Sequence, residues 1–323
     1  MAVIPRLSSI YDEPFADSSQ VPTFLVSELA KRHVTVALTG DGGDEVFGGY
    51  NRYVWAGQVW KWVQRYPRWM RSTAAHLGSS ISPESWNRWS SLVPGGINLM
   101  LPGNKIHKLA AILDVSTEKD LYYRLVSQWP DPESITPGAR ELPTNITDPA
   151  NWNAGNTLAE RMMLIDAIAY LPNDILVKVD RAAMAVSLET RTPYLDHRLF
   201  EFAWSLPDQW RARGDESKWL LRQVLYRHVP KSLVDRPKAG FGIPIDLWLR
   251  GPLRDWAEDL LDERRLREEG FLNPEPIRQK WKEHLSGAYN WCSPLWGVLM
   301  FEGWLRTCGQ VPESVSDTAV NVV

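Results

Sequence analysis

The chain has 323 residues, with 36 lysines and arginines against 39 aspartates and glutamates, and 44% of its residues are hydrophobic. At ~150 residues per domain this length indicates about two domains, and the composition excludes a disordered or collagen-like chain. A net charge of −3, two cysteines and no apolar run of ~18 residues argue against nucleic-acid binding, a secreted disulfide framework and a membrane span, so we predict a cytoplasmic protein.

The segment up to residue 49 predicts a helix followed by a strand. Residues 22–32 place Phe24, Leu25 and Leu29 at helical spacing, with a proline near the start. Residues 33–38 are β-branched and mostly apolar, which is typical of a strand buried inside a parallel sheet. A helix that leads into such a strand indicates an α/β sheet.

The rest of the chain carries mostly helical patterns. The strongest covers residues 157–191; it is interrupted at Pro172 and stopped by Pro193. Further helices are predicted at residues 118–128, 196–206, 218–228, 253–266 and 277–284, and a last apolar stretch at residues 295–305 is expected to close the core. We therefore expect a largely helical structure after the first strand.

The most informative run is the loop at residues 39–50, TGDGGDEVFGGY, which follows the predicted strand. Ligands bind at the carboxyl ends of strands in open α/β sheets, and glycines let the backbone approach them closely. Asp41, Asp44 and Glu45 would repel a phosphate unless a divalent cation such as Mg²⁺ lies between them. The run is neither a Walker A loop nor a dinucleotide fingerprint. Spacing alone supports equally well a turn whose acids face water.

Two further stretches combine charge with small residues. If residues 174–196 form one helix, a polar stripe runs along it, formed by Asp180, Met184, Ser187 and Arg191. Such a stripe is usually a solvated face, although the small alanines beside it favour packing against a neighbour. Lys238 lies in a loop at residues 236–244 from which a lysine can reach a phosphate, but a plain surface lysine is the simpler interpretation.

Taken in order, these stretches resemble the synthetase domain of the glutamine-hydrolysing asparagine synthetases. Residues 40–45, GDGGDE, match the family's GEGSDE-type loop. Three other segments resemble family segments in the same order: residues 11–19 (YDEPFADSS), 176–196 and 236–244 (RPKAGFGIP). The resemblance covers about residues 5–305, and β-lactam and carbapenam synthetases share this domain.

The resemblance implies a fold and a reaction. The fold is α/β, a partial ATP-pyrophosphatase (adenine nucleotide alpha hydrolase-like) parallel sheet with a large, mostly α-helical C-terminal part. Residues 1–60 would be the C-terminal part of the α/β core, residues 61–310 the helical remainder and residues 311–323 a flexible tail. The implied enzyme uses ATP and Mg²⁺ to adenylate the side-chain carboxylate of aspartate with release of pyrophosphate. Ammonia from glutamine then forms asparagine.

Matching positions one by one implies roles for individual residues. Asp41 and Lys238 match catalytic positions, and Asp44 and Glu45 match the metal site. The implied nucleotide-binding residues are Thr39, Gly40, Gly42, Gly43, Asp180 and Arg181. Asp41 is one methylene shorter than the usual glutamate, which matters for a group that must reach a proton.

Two family features are not found in this sequence. No S-G-G-x-D-S pyrophosphate loop is present, and residue 2 is alanine where the family's glutaminase domain has its cysteine nucleophile. We therefore expect a synthetase-domain fragment that works with a separate glutaminase and pyrophosphate-loop portion, and that exposes apolar strand edges around residues 34–38. Two alternatives stay open: a β-lactam-synthetase-like ring closure, and a non-catalytic remnant or binding module.

Overall fold

The computed structural model describes residues 2–81, 85, 109–110, 112–129, 131–213, 216–235 and 242–308. Lys238 and the predicted tail at residues 311–323 lie outside these ranges and stay predictions. No helix in the described ranges combines the length and apolar character that a membrane span requires.

The described chain is mainly helical. Its N-terminal half contains α1 (Leu7–Tyr11), α2 (Gln20–Lys31), α3 (Gly43–Phe47), α4 (Asn51–Arg65), α5 (Arg68–Ser80), α6 (Glu118–Val126) and α7 (Leu158–Ile165). Its C-terminal half contains α8 (Leu176–Met184), α9 (His197–Ser205), α10 (Asp208–Arg211), α11 (Trp219–Leu225), α12 (Lys231–Val234), α13 (Ile245–Arg250), α14 (Arg254–Leu260), α15 (Glu263–Glu269), α16 (Pro274–Ser286) and α17 (Cys292–Cys308). The described strands are β1 (Val36–Leu38), β2 (Glu189–Arg191), β3 (Ala212–Arg213) and β4 (Glu216–Ser217). The predicted helical character of the C-terminal part is confirmed.

Local capping explains where several helices begin and end. Thr117 and Asp120 form a capping box at the start of α6, in which each side chain bonds the other's backbone N–H. Asn273 caps α16 just before Pro274, and Gly287 ends that helix with a φ of 82°. Proline is favoured at the first helical position because the N–H that it lacks would have no partner within the helix. Glycine is favoured just past the last position because it readily adopts a left-handed φ.

The strand predicted at residues 33–38 exists, but its predicted burial is wrong. β1 pairs in parallel with β2, so that Val36 faces Glu189 and Leu38 faces Arg191. Leu38 is 74% exposed, and no third strand joins this sheet within the described ranges. Parallel sheets normally have both faces covered. The exposure agrees with the other expectation from the sequence, that a synthetase-domain fragment exposes apolar strand edges around residues 34–38.

The helix predicted over residues 157–191 continues past Pro172. α7 runs into a π-helix at Asp166–Ile175, and this in turn runs into α8. The wider π-helical turn accommodates the proline without breaking the element, whereas an interior proline removes a hydrogen bond from an α-helix. The predicted interruption is therefore a local widening.

The same prediction is wrong beyond Met184. Ser187 adopts a left-handed φ of 58°, and the Leu188 N–H donates back to the Ala183 carbonyl at 2.9 Å. This is the hydrogen bond of a Schellman motif, which ends a helix. The chain then enters β2, so Ser187 and Arg191 do not share a helical stripe with Asp180.

Two apolar clusters hold these elements together. The first packs α1, α2 and α8 against the C-terminal helices around Trp281 and Trp296, which are 0% and 1% exposed. The second packs α4, α6 and α7 around Leu121 and Met162, both 0% exposed. The helices beside β1 thus share a core with the C-terminal part of the chain.

The buried Glu302 on α17 predicts that the stability of the fold depends on pH. Its side chain is 1% exposed, and neither carboxylate oxygen accepts a hydrogen bond from a described donor. Burial, together with the neighbouring Glu269 carboxylate, raises the pKa of Glu302 from 4.5 to about 8, against the opposing effect of Arg265 and Arg306. Because the folded-state pKa is raised, the stabilisation is complete below pH 4.5 and is lost as the pH rises through about 8.

Glu302→Gln should therefore remove this pH dependence. We expect the wild-type chain to lose free energy of unfolding relative to the variant between pH 5 and 8, at up to about 1.4 kcal/mol per pH unit. Urea unfolding at several pH values measures the difference, and Glu201→Gln, at an exposed position, is the matched control. Parallel pH profiles for wild type and Glu302→Gln would contradict the assignment.

Candidate functional site

The loop that follows β1 turns tightly into α3. The Thr39 N–H donates to the Arg191 carbonyl at 2.8 Å, which carries the sheet pairing into the loop. Gly42 has a left-handed φ of 83°, and a Cβ there would lie 2.5 Å from the Leu195 side chain. Its carbonyl accepts the Val46 N–H at 2.9 Å as α3 begins. This turn therefore requires glycine at position 42.

Asp44, one of the two predicted metal ligands, is paired with a lysine. Its Oδ2 lies 3.0 Å from Nζ of Lys218, and its side chain is 32% exposed. A Cβ at Gly49 would come within 2.0 Å of the Asp44 carboxylate and 2.2 Å of the Lys218 side chain, so the glycine leaves room for this pair. Sequence reasoning missed Lys218 because it lies far along the chain and carries no motif.

Glu45, the other predicted metal ligand, lies in a different environment. Its side chain is buried and accepts a hydrogen bond from the Tyr50 hydroxyl at 2.7 Å. Burial is the largest influence on this carboxylate and raises the pKa of Glu45, partly offset by the hydrogen bond from Tyr50. Asp44 is thus the more accessible of the two adjacent carboxylates.

The first residues of the loop suit a bound polar ligand. The Thr39 hydroxyl is buried, and it has no hydrogen-bond partner in the described part of the chain. A Cβ at Gly40 would meet nothing within 4 Å, so there is open space above that backbone. Asp41 is half-buried, and no described ion pair engages its carboxylate. A buried hydroxyl without a partner is costly, and a ligand at this place would satisfy it.

Asp180 and Arg181 are directed to different neighbours although they are adjacent in sequence. Asp180 lines a cavity of about 380 Å³ that is also lined by Leu195, the residue that Gly42 approaches. Arg181 instead donates to the Tyr11 carbonyl and lies 3.9 Å from Glu13. The structure thus places Asp180 beside the glycine loop and directs Arg181 towards the residues after α1.

A buried ion pair that sequence reasoning missed lies behind the loop. Asp166 in the π-helix is 0% exposed. Nε of Arg52 donates to its Oδ2 at 3.1 Å, and Nη2 lies 2.8 Å from the same oxygen. The hydroxyls of Tyr53 and Tyr122 also donate to Asp166. Burial, together with the Asp166 charge, raises the pKa of both tyrosines, so they act as hydrogen-bond donors.

Aromatic rings connect this ion pair with the loop. The Arg52 guanidinium lies 4.0 Å from the Tyr50 ring centroid and 5.2 Å from that of Tyr170. The two rings meet edge to face at 5.9 Å, and Tyr50 is the residue that donates to Glu45. Arg52 is therefore held in one orientation next to the end of the loop.

The described side chains fit a metal site that is shared with a phosphate-bearing ligand better than one built from protein groups alone. The described residues contain no cluster of three or more histidine, cysteine, aspartate or glutamate side chains that could hold a metal by themselves. Mg²⁺ is usually held by one or two carboxylates together with substrate phosphates. The partly exposed Asp44 fits that arrangement. The Thr39 hydroxyl, which has no partner among the described residues, and the open space over Gly40 leave room for a phosphate-bearing ligand beside it.

Comparison with known proteins shows the family to which the sequence is similar. A family model described as asparagine synthase matches residues 1–306. The chain is 29% identical over 306 residues to glutamine-hydrolyzing asparagine synthetase 1 of Bacillus subtilis, covering 94% of this chain and 45% of the relative. It is 32% identical over 310 residues to a putative glutamine-hydrolyzing asparagine synthetase of Mycobacterium tuberculosis, with 94% and 44% covered.

A third relative matches a shorter region more closely. The chain is 47% identical over 184 residues to putative glutamine-hydrolyzing asparagine synthetase 2 of Methanocaldococcus jannaschii, covering 56% of this chain and 32% of the relative. The chain thus spans about half the length of the curated relatives that it matches over most of its length.

Proposed function

The chain belongs to the asparagine synthase family, and we propose that it forms the ATP-dependent amide-forming part of an asparagine synthetase. One observation carries the proposal: the Thr39 hydroxyl is buried without a described partner at the carboxyl end of β1, beside open space over Gly40. This is the place where an α/β sheet binds its ligand. The carboxylates that follow in the loop supply what a magnesium nucleotide requires.

Different residues of the loop would contact the nucleotide and the magnesium ion. Thr39 and Gly40 would contact the nucleotide, Gly42 and Gly43 would let the backbone approach it, and Asp44 would hold Mg²⁺. Asp44 suits the cation better than Glu45, because Glu45 is buried against Tyr50. Bound Mg²⁺ would neutralise the charge that develops on pyrophosphate. Lys238 would add a second positive charge at the phosphates, and Asp180 would line the same cleft.

Asp41 would act on the second half of the reaction. We propose that aspartate is adenylated on its side-chain carboxylate and that ammonia derived from glutamine then displaces AMP. The half-buried Asp41 carboxylate is suited to accept the proton that the attacking nitrogen releases. Its shorter side chain would be compensated by the turn at Gly42, which sets how far the loop extends.

We propose that a further segment covers β1 and supplies the glutaminase and the pyrophosphate loop. An exposed two-stranded parallel sheet supports this, since such sheets are stable when buried by further strands. The length of the relatives, about twice that of the matched region, is consistent with it. The segment would belong either to a longer polypeptide that contains this sequence or to a partner chain.

The exposed strand leads to a prediction about self-association. Leu38→Lys should reduce aggregation of the chain, because it places a charge on an uncovered strand edge. Its melting temperature should change little, since Leu38 is 74% exposed. Leu142→Lys is the matched control, because Leu142 is 76% exposed but lies outside the sheet. Light scattering measures the aggregation of both variants. If the two substitutions reduced aggregation equally, the exposed edge of β1 would not be the site of self-association.

The proposed function is tested on the native polypeptide that carries this sequence. Supplied with Mg²⁺, ATP, aspartate and ammonium, it should release AMP, pyrophosphate and asparagine in equal amounts. Asp41→Asn should lower asparagine formation more than AMP formation, because the nitrogen attack follows adenylation. ADP and phosphate as products, or AMP release that does not depend on any carboxylic acid, would refute the proposal.

A further inference from the structure

A second, larger cavity lies next to the predicted site. It has a volume of about 970 Å³, and none of residues 39–45 lines it. Arg52 and Tyr170 form part of its wall and contact Tyr50, which bonds Glu45 at the end of the loop. This volume is close to the top of the ~300–1,000 Å³ range of sites that take drug-sized ligands. Free aspartate would fill only a small part of it.

One part of the cavity wall is acidic. Four carboxylates line the cavity, those of Glu13, Asp17, Asp174 and Asp246; Glu13 lies 3.9 Å from Arg181 and Asp246 lies 3.7 Å from Arg250. Asp17 is paired with the buried Lys178 at 2.5 Å, whereas Asp174 takes no such partner. Burial raises the pKa of Asp174 to about 7, together with the charge of Asp17 and a side-chain hydrogen bond to it and against the opposing effect of Lys178; the Oδ1 atom of Asp174 accepts no hydrogen bond from the described residues. A ligand ammonium group would supply the donor and the charge that Asp174 lacks.

The wall also contains a fixed positive group. Arg52 is held by Asp166 through Nε and Nη2, and the rings of Tyr50 and Tyr170 flank it. The Arg52 side chain is 21% exposed, so part of it faces the cavity that it lines. A guanidinium held in this way is suited to bind a carboxylate. The cavity therefore offers a negative region and a positive region to one ligand.

We propose that this cavity is the acceptor site and that it admits free aspartate but prefers a larger amine-bearing carboxylic acid, such as an aspartyl residue at the start of a peptide. The ammonium group of this acid lies at Asp174, and one of its carboxylates lies at Arg52. Naming the cavity an acceptor site rests on the proposed function, whereas the binding itself does not. Asp174 and Arg52, the two groups that the proposal uses, both belong to this chain, so their binding of a ligand is measured on this chain.

Calorimetry with three probes tests the proposal on the full chain. The dipeptide aspartyl-alanine should bind at least about tenfold more tightly than free aspartate, because it buries more surface in the same cavity. Its N-acetylated form, which has no ammonium group, should bind at least about tenfold more weakly than the free dipeptide. Asp174→Asn should bind both forms alike. Glu13→Gln, which removes another carboxylate from the cavity wall, should reduce the difference between them.

The controls separate recognition from folding. Asp114→Asn, in a surface ion pair outside the cavity, should bind all three probes as the wild type does. Free aspartate that binds as tightly as the dipeptide, acetylation without effect on the wild type, or no dipeptide binding would each overturn the proposal. If the dipeptide binds as expected but no acid supports AMP release, the proposed function fails and the ligand site stands. If aspartate supports AMP release but the dipeptide does not bind more tightly than aspartate, the ligand-site proposal fails and the proposed function stands.

Discussion

Asp166→Ala is expected to lower the free energy of unfolding by about 3–5 kcal/mol, the range for breaking a buried ion pair by removing one partner. Asp166 is fully buried and holds Arg52 together with the hydroxyls of Tyr53 and Tyr122. Without it a guanidinium and two phenol hydroxyls lose their acceptor, and the cavity left behind adds to the loss. Urea unfolding followed by tryptophan fluorescence measures the change.

Two variants calibrate this result. Asp114→Ala breaks the pair with Arg68, in which both side chains are about half exposed or more, and should change stability by less than about 1 kcal/mol. Asp166→Asn keeps the volume and one acceptor, so its effect should lie between the two. If Asp166→Ala were no more destabilising than Asp114→Ala, the network would not hold the π-helix to α4 and α6.

Asp44→Asn is expected to slow ATP-dependent release of pyrophosphate by about 10²–10³-fold, the usual loss when one stabiliser of developing charge is removed. The reason is that Asp44 is more accessible than the adjacent Glu45 and would be the main protein ligand of Mg²⁺. The neutral amide is a weaker ligand and also leaves Lys218 without its counter-charge. Pyrophosphate release from the native polypeptide measures the effect.

The matched control is Asp131→Asn, which removes one charge at an exposed position outside the loop. It should leave the rate unchanged. Raising the Mg²⁺ concentration should recover part of the activity of Asp44→Asn, because the defect is one of metal affinity. A variant that works at the wild-type rate at every Mg²⁺ concentration would show that Asp44 is not a metal ligand.

Local signals in the sequence predict much of this fold. The Thr117 box, the Asn273 cap and the closing Gly287 act within one helical turn, so pattern and composition reveal them. The position of the strand before the glycine loop is correct for the same reason. Ser187 is different, because a serine with a left-handed φ ends the helix where no glycine marks the place. The strand that follows depends on pairing with β1, which is distant in sequence.

The burial of β1 could not be predicted from its composition. Its residues are those of a strand inside a sheet, yet only β2 pairs with it within the described ranges. Apolar composition indicates that a strand is suited to burial. Whether the strand is in fact buried depends on which other segments pack against it.

The sequence motif predicts the position of the loop, but it does not predict which side chains pair with the loop's carboxylates. The sequence places Asp44 and Glu45 side by side, and the fold gives one a lysine partner and the other a tyrosine. Lys218 immediately precedes α11, far along the chain from Asp44, and Tyr50 immediately precedes α4. No spacing rule predicts that these two side chains contact the carboxylates. The pair formed by Arg52 and Asp166 was missed for the same reason, since its members lie on α4 and the π-helix.

The central claim is that the loop at residues 39–45 binds a magnesium nucleotide. Calorimetric titration of the native polypeptide with ATP, with and without Mg²⁺, tests it most directly. We predict binding that weakens at least about tenfold when Mg²⁺ is withheld or when Asp44 is replaced by asparagine, and that Asp131→Asn leaves unchanged. ATP affinity that is the same with and without Mg²⁺, and the same in Asp44→Asn as in the wild type, would contradict the claim.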